Sequence, residues 1–262
     1  MNKIDIKLEE IKHKKKIGLM THVVIGYPTL EETISIVKSM AESGVDFIEL
    51  QIPFSDPLAD GPTIMRACEK SLRNGTKVKD AFSVMRKLTK EVSIPLLFMA
   101  YYNTVFKYGV EKFCKNAASA GASGLIVPDM PIEEESNEHF YANCQKYKLH
   151  AIHVVSPAST DERLKINARR ATGFIYATAR QGITGAKGEL EKTLSSYITK
   201  LKNIFTIPIA VGFGISKKEH IQALKGKADV AVIGSAIIDV IDSSDNKDRE
   251  NKVRQFLKKL KS

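Results

Sequence analysis

The sequence predicts an α/β protein of the (β/α)8 TIM-barrel type, a single domain over residues 1–262 with an extra helix at its N-terminus. Three observations carry that expectation. Eight short, largely apolar runs recur along the chain, segments of helical period fill the intervals, and 262 residues is the length that eight such units occupy. An open, doubly wound sheet is the alternative for alternating strands and helices, and eight evenly spaced units favour closure.

The leading helix falls near Ile4–Lys15. The strands read Met20–Ile25, Phe47–Leu50, Leu96–Met99, Gly124–Val127, Ala151–Val155, Phe174–Ala177, Ile207–Val211 and Val230–Ile233. Such runs suit parallel strands that are covered on both faces. Among the helices, Val78, Ala81, Phe82, Met85 and Leu88 form one apolar stripe, and Val110, Phe113, Cys114 and Ala117 form another. Thr29 with Glu32, and Ser216 with Glu219, have the spacing of capping boxes at helix starts.

Composition narrows the function classes. A hydrophobic share of 43% and a charged share of 27% are those of an ordinary globular chain. No run is long and apolar enough to span a bilayer, and the charged N-terminus lacks the apolar centre of a secretory signal. A cytoplasmic enzyme is the expectation. The net charge of +10 invites a nucleic-acid reading, but no aromatic residues interleave with the lysine runs. The lysines are better read as solvated helix faces that attract anionic substrates. Cys68, Cys114 and Cys144 are too scattered for a disulfide framework or a zinc site. His150 and His153 read as structural or exposed rather than as metal ligands, and no metal is expected.

In a barrel of this type chemistry belongs to the loops after the strands' C-terminal ends. Glu49 is a charged residue inside the apolar second strand, so it faces the barrel mouth or pairs with a structural cation. A buried carboxylate without a fixed cation is pushed toward the range useful for proton transfer. Asp56 and Asp60 follow in a loop that Pro53, Pro57 and Pro62 restrict, as geometry-fixed carboxylates or as turn residues. Glycine-bearing turns follow the last three strands: Gly182–Gly185, Gly212–Gly214 and Gly234–Ser235, the last opening a short helix over Ser235–Val240. Exposed backbone N–H groups with a helix N-terminus behind them suit a phosphate, although glycines at barrel corners also serve structure.

The segment ELQIPFSDPLADGPTI closely resembles the signature of the tryptophan synthase α-subunit family, and the resemblance continues through AYYNTVF, VPDMP, RQGITGA, VGFGIS and GSAI. It implies a lyase of tryptophan biosynthesis that splits indole-3-glycerol phosphate into indole and glyceraldehyde 3-phosphate by a retro-aldol reaction. It implies Glu49 as the acid–base for indole C3 and the glycerol hydroxyl, and Asp60 as acceptor for the indole N–H. Tyr101 and Tyr176 would line the site, with Tyr101 placed to assist near Glu49, and Ile126 and Phe213 would face the indole. Gly185, Gly214, Gly234 and Ser235 would hold phosphate, while Thr184 would bond Asp60 and Arg180 would pair with Asp56 to couple two loops. No cofactor is implied in this chain. The partner implied is a β subunit in an α2β2 complex, whose own pyridoxal phosphate serves to join indole to serine. The chain departs from the family pattern at Gln51, where glycine is usual, at Met65, where glutamine is usual, and at His22, where an aromatic is usual. Gln51 would occupy space otherwise open to backbone approach, and His22 is read as a pocket residue without an acid–base role.

Overall fold

Eight strands run parallel and close on themselves in chain order. They are β1 (Gly18–Val24), β2 (Phe47–Gln51), β3 (Leu96–Met99), β4 (Gly124–Ile126), β5 (His150–Val155), β6 (Ile175–Thr178), β7 (Ile209–Gly212) and β8 (Val230–Ile233). Pairing of Gly18 with Val230 and of Thr21 with Ile233 seals β1 to β8. The computed structural model describes residues 1–178, 187–212 and 214–261, with residues 187–192 described as backbone only. All eight expected strands form, with ends moved by a residue or two. β7 starts after Pro208, which has no N–H to contribute to the ladder.

Two apolar clusters hold the fold. The outer one lies between strands and helices, where Ala81, Phe82, Met85 and Leu88 of the helix Val78–Glu91 are buried as their spacing requires. The inner one fills the barrel with Met20, Phe47, Leu97, Ile126, Ile152 and Phe174. The N-terminal helix, Lys3–His13, adds Ile4, Leu8 and Ile11 to that inner cluster and so closes the barrel floor. Gly18 has no side chain because a Cβ there would lie 2.5 Å from Ile11 Cδ1.

Helix starts follow the sequence in one case and not in the other. Thr29 caps the helix Leu30–Glu42 by accepting from the Glu32 N–H at 3.1 Å. Ser216 does not cap: Lys217 is the N-cap of Lys218–Leu224, and the Ser216 N–H donates to His220 Nδ1. The three cysteines are buried and free, with the sulfurs of Cys114 and Cys144 3.9 Å apart. His150 pairs with Asp5, and His153 bonds Asn167 and stacks on Tyr141, so both serve structure. Among the described residues no helix is long and apolar enough to cross a membrane.

Candidate active site

Side chains two apart on a strand share a face, so Phe47, Glu49 and Gln51 of β2 all face the barrel interior, as Met20 and His22 do from β1. The register sets His22 directly beside Glu49. Both are 2% exposed, and His22 Nδ1 lies 3.0 Å from Glu49 Oε1. A carboxylate oxygen only accepts, so the ring nitrogen donates. Tyr176 reaches across from β6, four strands away, and donates to the same oxygen at 3.3 Å. Burial disfavours a charged His22 ring, but the hydrogen bond and charge of Glu49 outweigh it and raise the His22 pKa above the ordinary value. Burial, reinforced by the charges of Glu49 and Asp60, keeps the Tyr176 hydroxyl protonated.

A second cluster forms around Asp60. The loop after β2 folds back through a turn in which the Asp60 N–H donates to the Pro57 carbonyl at 2.9 Å. That brings Asp60 Oδ2 within 2.7 Å of Gln51 Nε2 and 2.9 Å of the Tyr101 hydroxyl, both donors. The Tyr101 hydroxyl also accepts from the Ala59 N–H at 3.0 Å, and its ring stacks on Phe54. Burial pushes the Asp60 pKa up, while the His22 charge and the bonds from Gln51 and Tyr101 hold it down; the net shift is upward. Asp56 is exposed, accepts from Ser55, and touches neither cluster.

Next to β1 in the closed barrel, Gly234 caps the helix Ser235–Asp242 that opens directly after β8. Gly214 adopts the left-handed φ of +55°, which favours glycine. Gly212 has a different reason: a Cβ there would come within 3.1 Å of the Tyr176 ring. Ile126 is buried inside the barrel near Tyr101. Arg180, Thr184, Gly185 and Phe213 lie outside the described residues.

Two expectations change. Tyr101 serves Asp60 rather than Glu49, because β3 delivers its hydroxyl to the loop and not across to β2. Gln51 does not merely occupy space: its amide holds Asp60. Strand parity could have revealed the second point, since a residue two after an inward Glu49 is inward too.

A closed parallel barrel with two carboxylates at its C-terminal mouth, and a helix N-terminus after β8 on the same side of the barrel, is the arrangement of an enzyme of this fold, whose sites lie at that face. The comparisons specify which. The family described as tryptophan synthase alpha chain matches residues 8–262. The tryptophan synthase alpha chain of Desulfotalea psychrophila is 48% identical over 237 residues, covering 90% of this chain and 92% of that one. That of Methanosarcina acetivorans is 41% identical, covering 99% and 93%. The solved alpha subunit from Legionella pneumophila superposes with a TM-score of 0.90 at 32% identity, covering 99% of this chain and 97% of that one. The chain belongs to the tryptophan synthase alpha chain family, lyases of tryptophan biosynthesis that cleave indole-3-glycerol phosphate to indole and glyceraldehyde 3-phosphate for the beta subunit.

Proposed function

We propose that Glu49 and Asp60 carry that cleavage as an acid–base pair. Breaking the bond between indole C3 and the first glycerol carbon requires a proton on C3, which leaves the ring nitrogen cationic. The bond pair then returns to the ring, while the glycerol hydroxyl gives up its proton and its carbon becomes the aldehyde. Glu49 exchanges protons with C3 and the hydroxyl, and Asp60 accepts the indole N–H and stabilises the cation. The observation that supports this most is the contrast in surroundings: Glu49 sits against the His22 ring, Asp60 against the neutral donors of Gln51 and Tyr101. Two carboxylates in unlike environments can divide acid and base roles.

The phosphate is assigned to the backbone of Gly214 and Gly234 with the Ser235 hydroxyl, and to Gly185. N–H groups and a helix N-terminus favour an anion without a fixed cation. Ile126 and Phe213 are assigned to the indole. Indole then passes to a β subunit that condenses it with L-serine, using its own pyridoxal phosphate, in an α2β2 complex. Family membership supports the partnership, as do two exposed apolar side chains on mouth-side segments, Leu58 and Phe106. Arg180 and Thr184 are assigned to contacts with Asp56 and Asp60 that tie the two loops together.

The test is indole release by Glu49→Gln, which should fall by ~10²–10⁴-fold or more, the usual worth of general acid–base catalysis, with substrate binding largely kept. Turnover like that of the unaltered enzyme would remove Glu49 from the chemistry.

A further inference from the structure

Two side-chain atoms buried at the barrel mouth have no hydrogen-bond partner among the described residues: His22 Nε2 and Gln51 Oε1. Their residues lie on adjacent strands, where the register pairs His22 with Glu49 and Val24 with Gln51. Both are sealed from solvent, at 2% and 0% exposure. Each already holds a different carboxylate with its other end, His22 Nδ1 on Glu49 and Gln51 Nε2 on Asp60. The two free ends are complementary, since a ring N–H donates and an amide oxygen accepts. A hydrogen-bonding contribution from the Gln51 side chain favours the charged His22 ring, so the two side chains lie close, although neither free end has a partner at full hydrogen-bond geometry.

We propose that His22 and Gln51 are positioning residues that close into one polar bridge, Glu49–His22–Gln51–Asp60, joining the two carboxylates. The inference rests on reading Glu49 and Asp60 as the acid–base pair. With Oε1 engaged by the ring, the amide cannot turn over, so its NH2 stays aimed at Asp60. One imidazolium charge then faces both carboxylates.

The bridge predicts how activity responds to pH. Asp60 faces His22 from β1, Glu49 and Gln51 from β2, Tyr101 from the segment after β3, Tyr176 from β6, and Cys68 from the helix Pro62–Arg73. Of these, His22, Gln51 and Tyr101 hold its pKa down against burial. His22→Phe and Gln51→Met should therefore each move the acid limb of kcat/KM to higher pH, a change that loss of packing alone would not produce. Each should lower kcat/KM by ~10–100-fold, the worth of one hydrogen bond within a charged network. The loss in the double variant should be at least ~10-fold smaller than the product of the single losses, because partners in one network do not act independently. Single losses that multiply, with an unmoved acid limb, would overturn the bridge.

A substrate-free measurement tests it separately from the activity. The ring resonances of His22, followed against pH by NMR, should titrate at lower pH in Gln51→Met than in the unaltered enzyme. An identical His22 titration in the two proteins would refute the bridge, whatever the lyase assay shows. Gln51→Met nearly conserves volume, so this arm does not depend on the His22 variant folding. Conversely, full turnover in Glu49→Gln would remove the acid–base reading and leave the titration result standing.

Discussion

Tyr101→Phe deletes one oxygen and isolates the contribution of that oxygen to the Asp60 cluster. The ring stays, and with it the stacking on Phe54 at a centroid distance of 5.3 Å and the packing of a side chain only 2% exposed. Two hydrogen bonds go: the one donated to Asp60 at 2.9 Å and the one accepted from Ala59 at 3.0 Å. Ala59 is exposed, so water replaces its lost acceptor at little cost. The bond to Asp60 ends on a charged group and is worth about 1.5–3 kcal/mol, or ~10–100-fold in rate if the transition state uses it fully. The sign of the pH effect follows from the same contacts. Burial raises the Asp60 pKa and the Tyr101 bond is one of the restraints on it, so removing the hydroxyl lets it rise further. If the charged form of Asp60 stabilises the ring cation, activity is lost as pH falls through that pKa, and the loss begins at higher pH in Tyr101→Phe. The assay is indole release across pH, with kcat and KM resolved. An unmoved acid limb together with unaltered kcat/KM would show that Asp60 does not depend on Tyr101.

Gly234→Val should raise KM for indole-3-glycerol phosphate far more than it weakens binding of indole alone; equal losses would make this turn structural rather than a phosphate site. Gly234 is a better probe than Gly214, because a Cβ at Gly234 meets only Ile64 at 3.7 Å while Gly214 has a left-handed φ that any side chain would strain. Ile4→Ala, in the buried barrel floor, should cost about 2–5 kcal/mol in denaturant unfolding and leave KM unchanged, since the active site is at the opposite end. Addition of a cognate β subunit should raise indole release, and Thr184→Val should diminish that activation if Thr184 ties its loop to Asp60 as assigned. No effect of the β subunit on rate would mean that this chain works alone.

Periodicity alone made most of the barrel legible. β3 and β8 have the ends that their apolar runs predict, and the floor helix falls where Ile4, Leu8 and Ile11 recur at helical spacing. Glu49 stood out because a charge inside an apolar strand needs an explanation, and the structure supplies one in His22 and Tyr176. What pattern could not give was pairing across strands. Which of two nearby carboxylates Tyr101 serves depends on the path of the loop between Pro57 and Asp60, which no local spacing encodes. Gln51 looked like an obstruction because its amide has meaning only once Asp60 has folded back over it.

The barrel interior changes character along its axis, and that change explains how its mouth tolerates buried charge. On β1 the inward residue Met20 is followed two positions later by His22; on β2 Phe47 is followed by Glu49 and Gln51; on β6, Phe174 at the strand's entry precedes Tyr176. The lower layer, plugged by Ile4, Leu8 and Ile11, surrounds the strand entries with apolar side chains. A carboxylate at the level of Glu49 must therefore find its partners sideways, on neighbouring or opposite strands, or lose its charge. His22 and Tyr176 meet that need from β1 and β6, which fixes the Glu49 side chain without closing the mouth above it. Asp60 arrives from the loop, one layer higher, and is met by Gln51 at the end of β2 and by Tyr101, two residues past the end of β3. The apolar layer beneath is thus what makes the polar partners at the mouth necessary, and the period-two geometry of parallel strands is what stacks them in two levels.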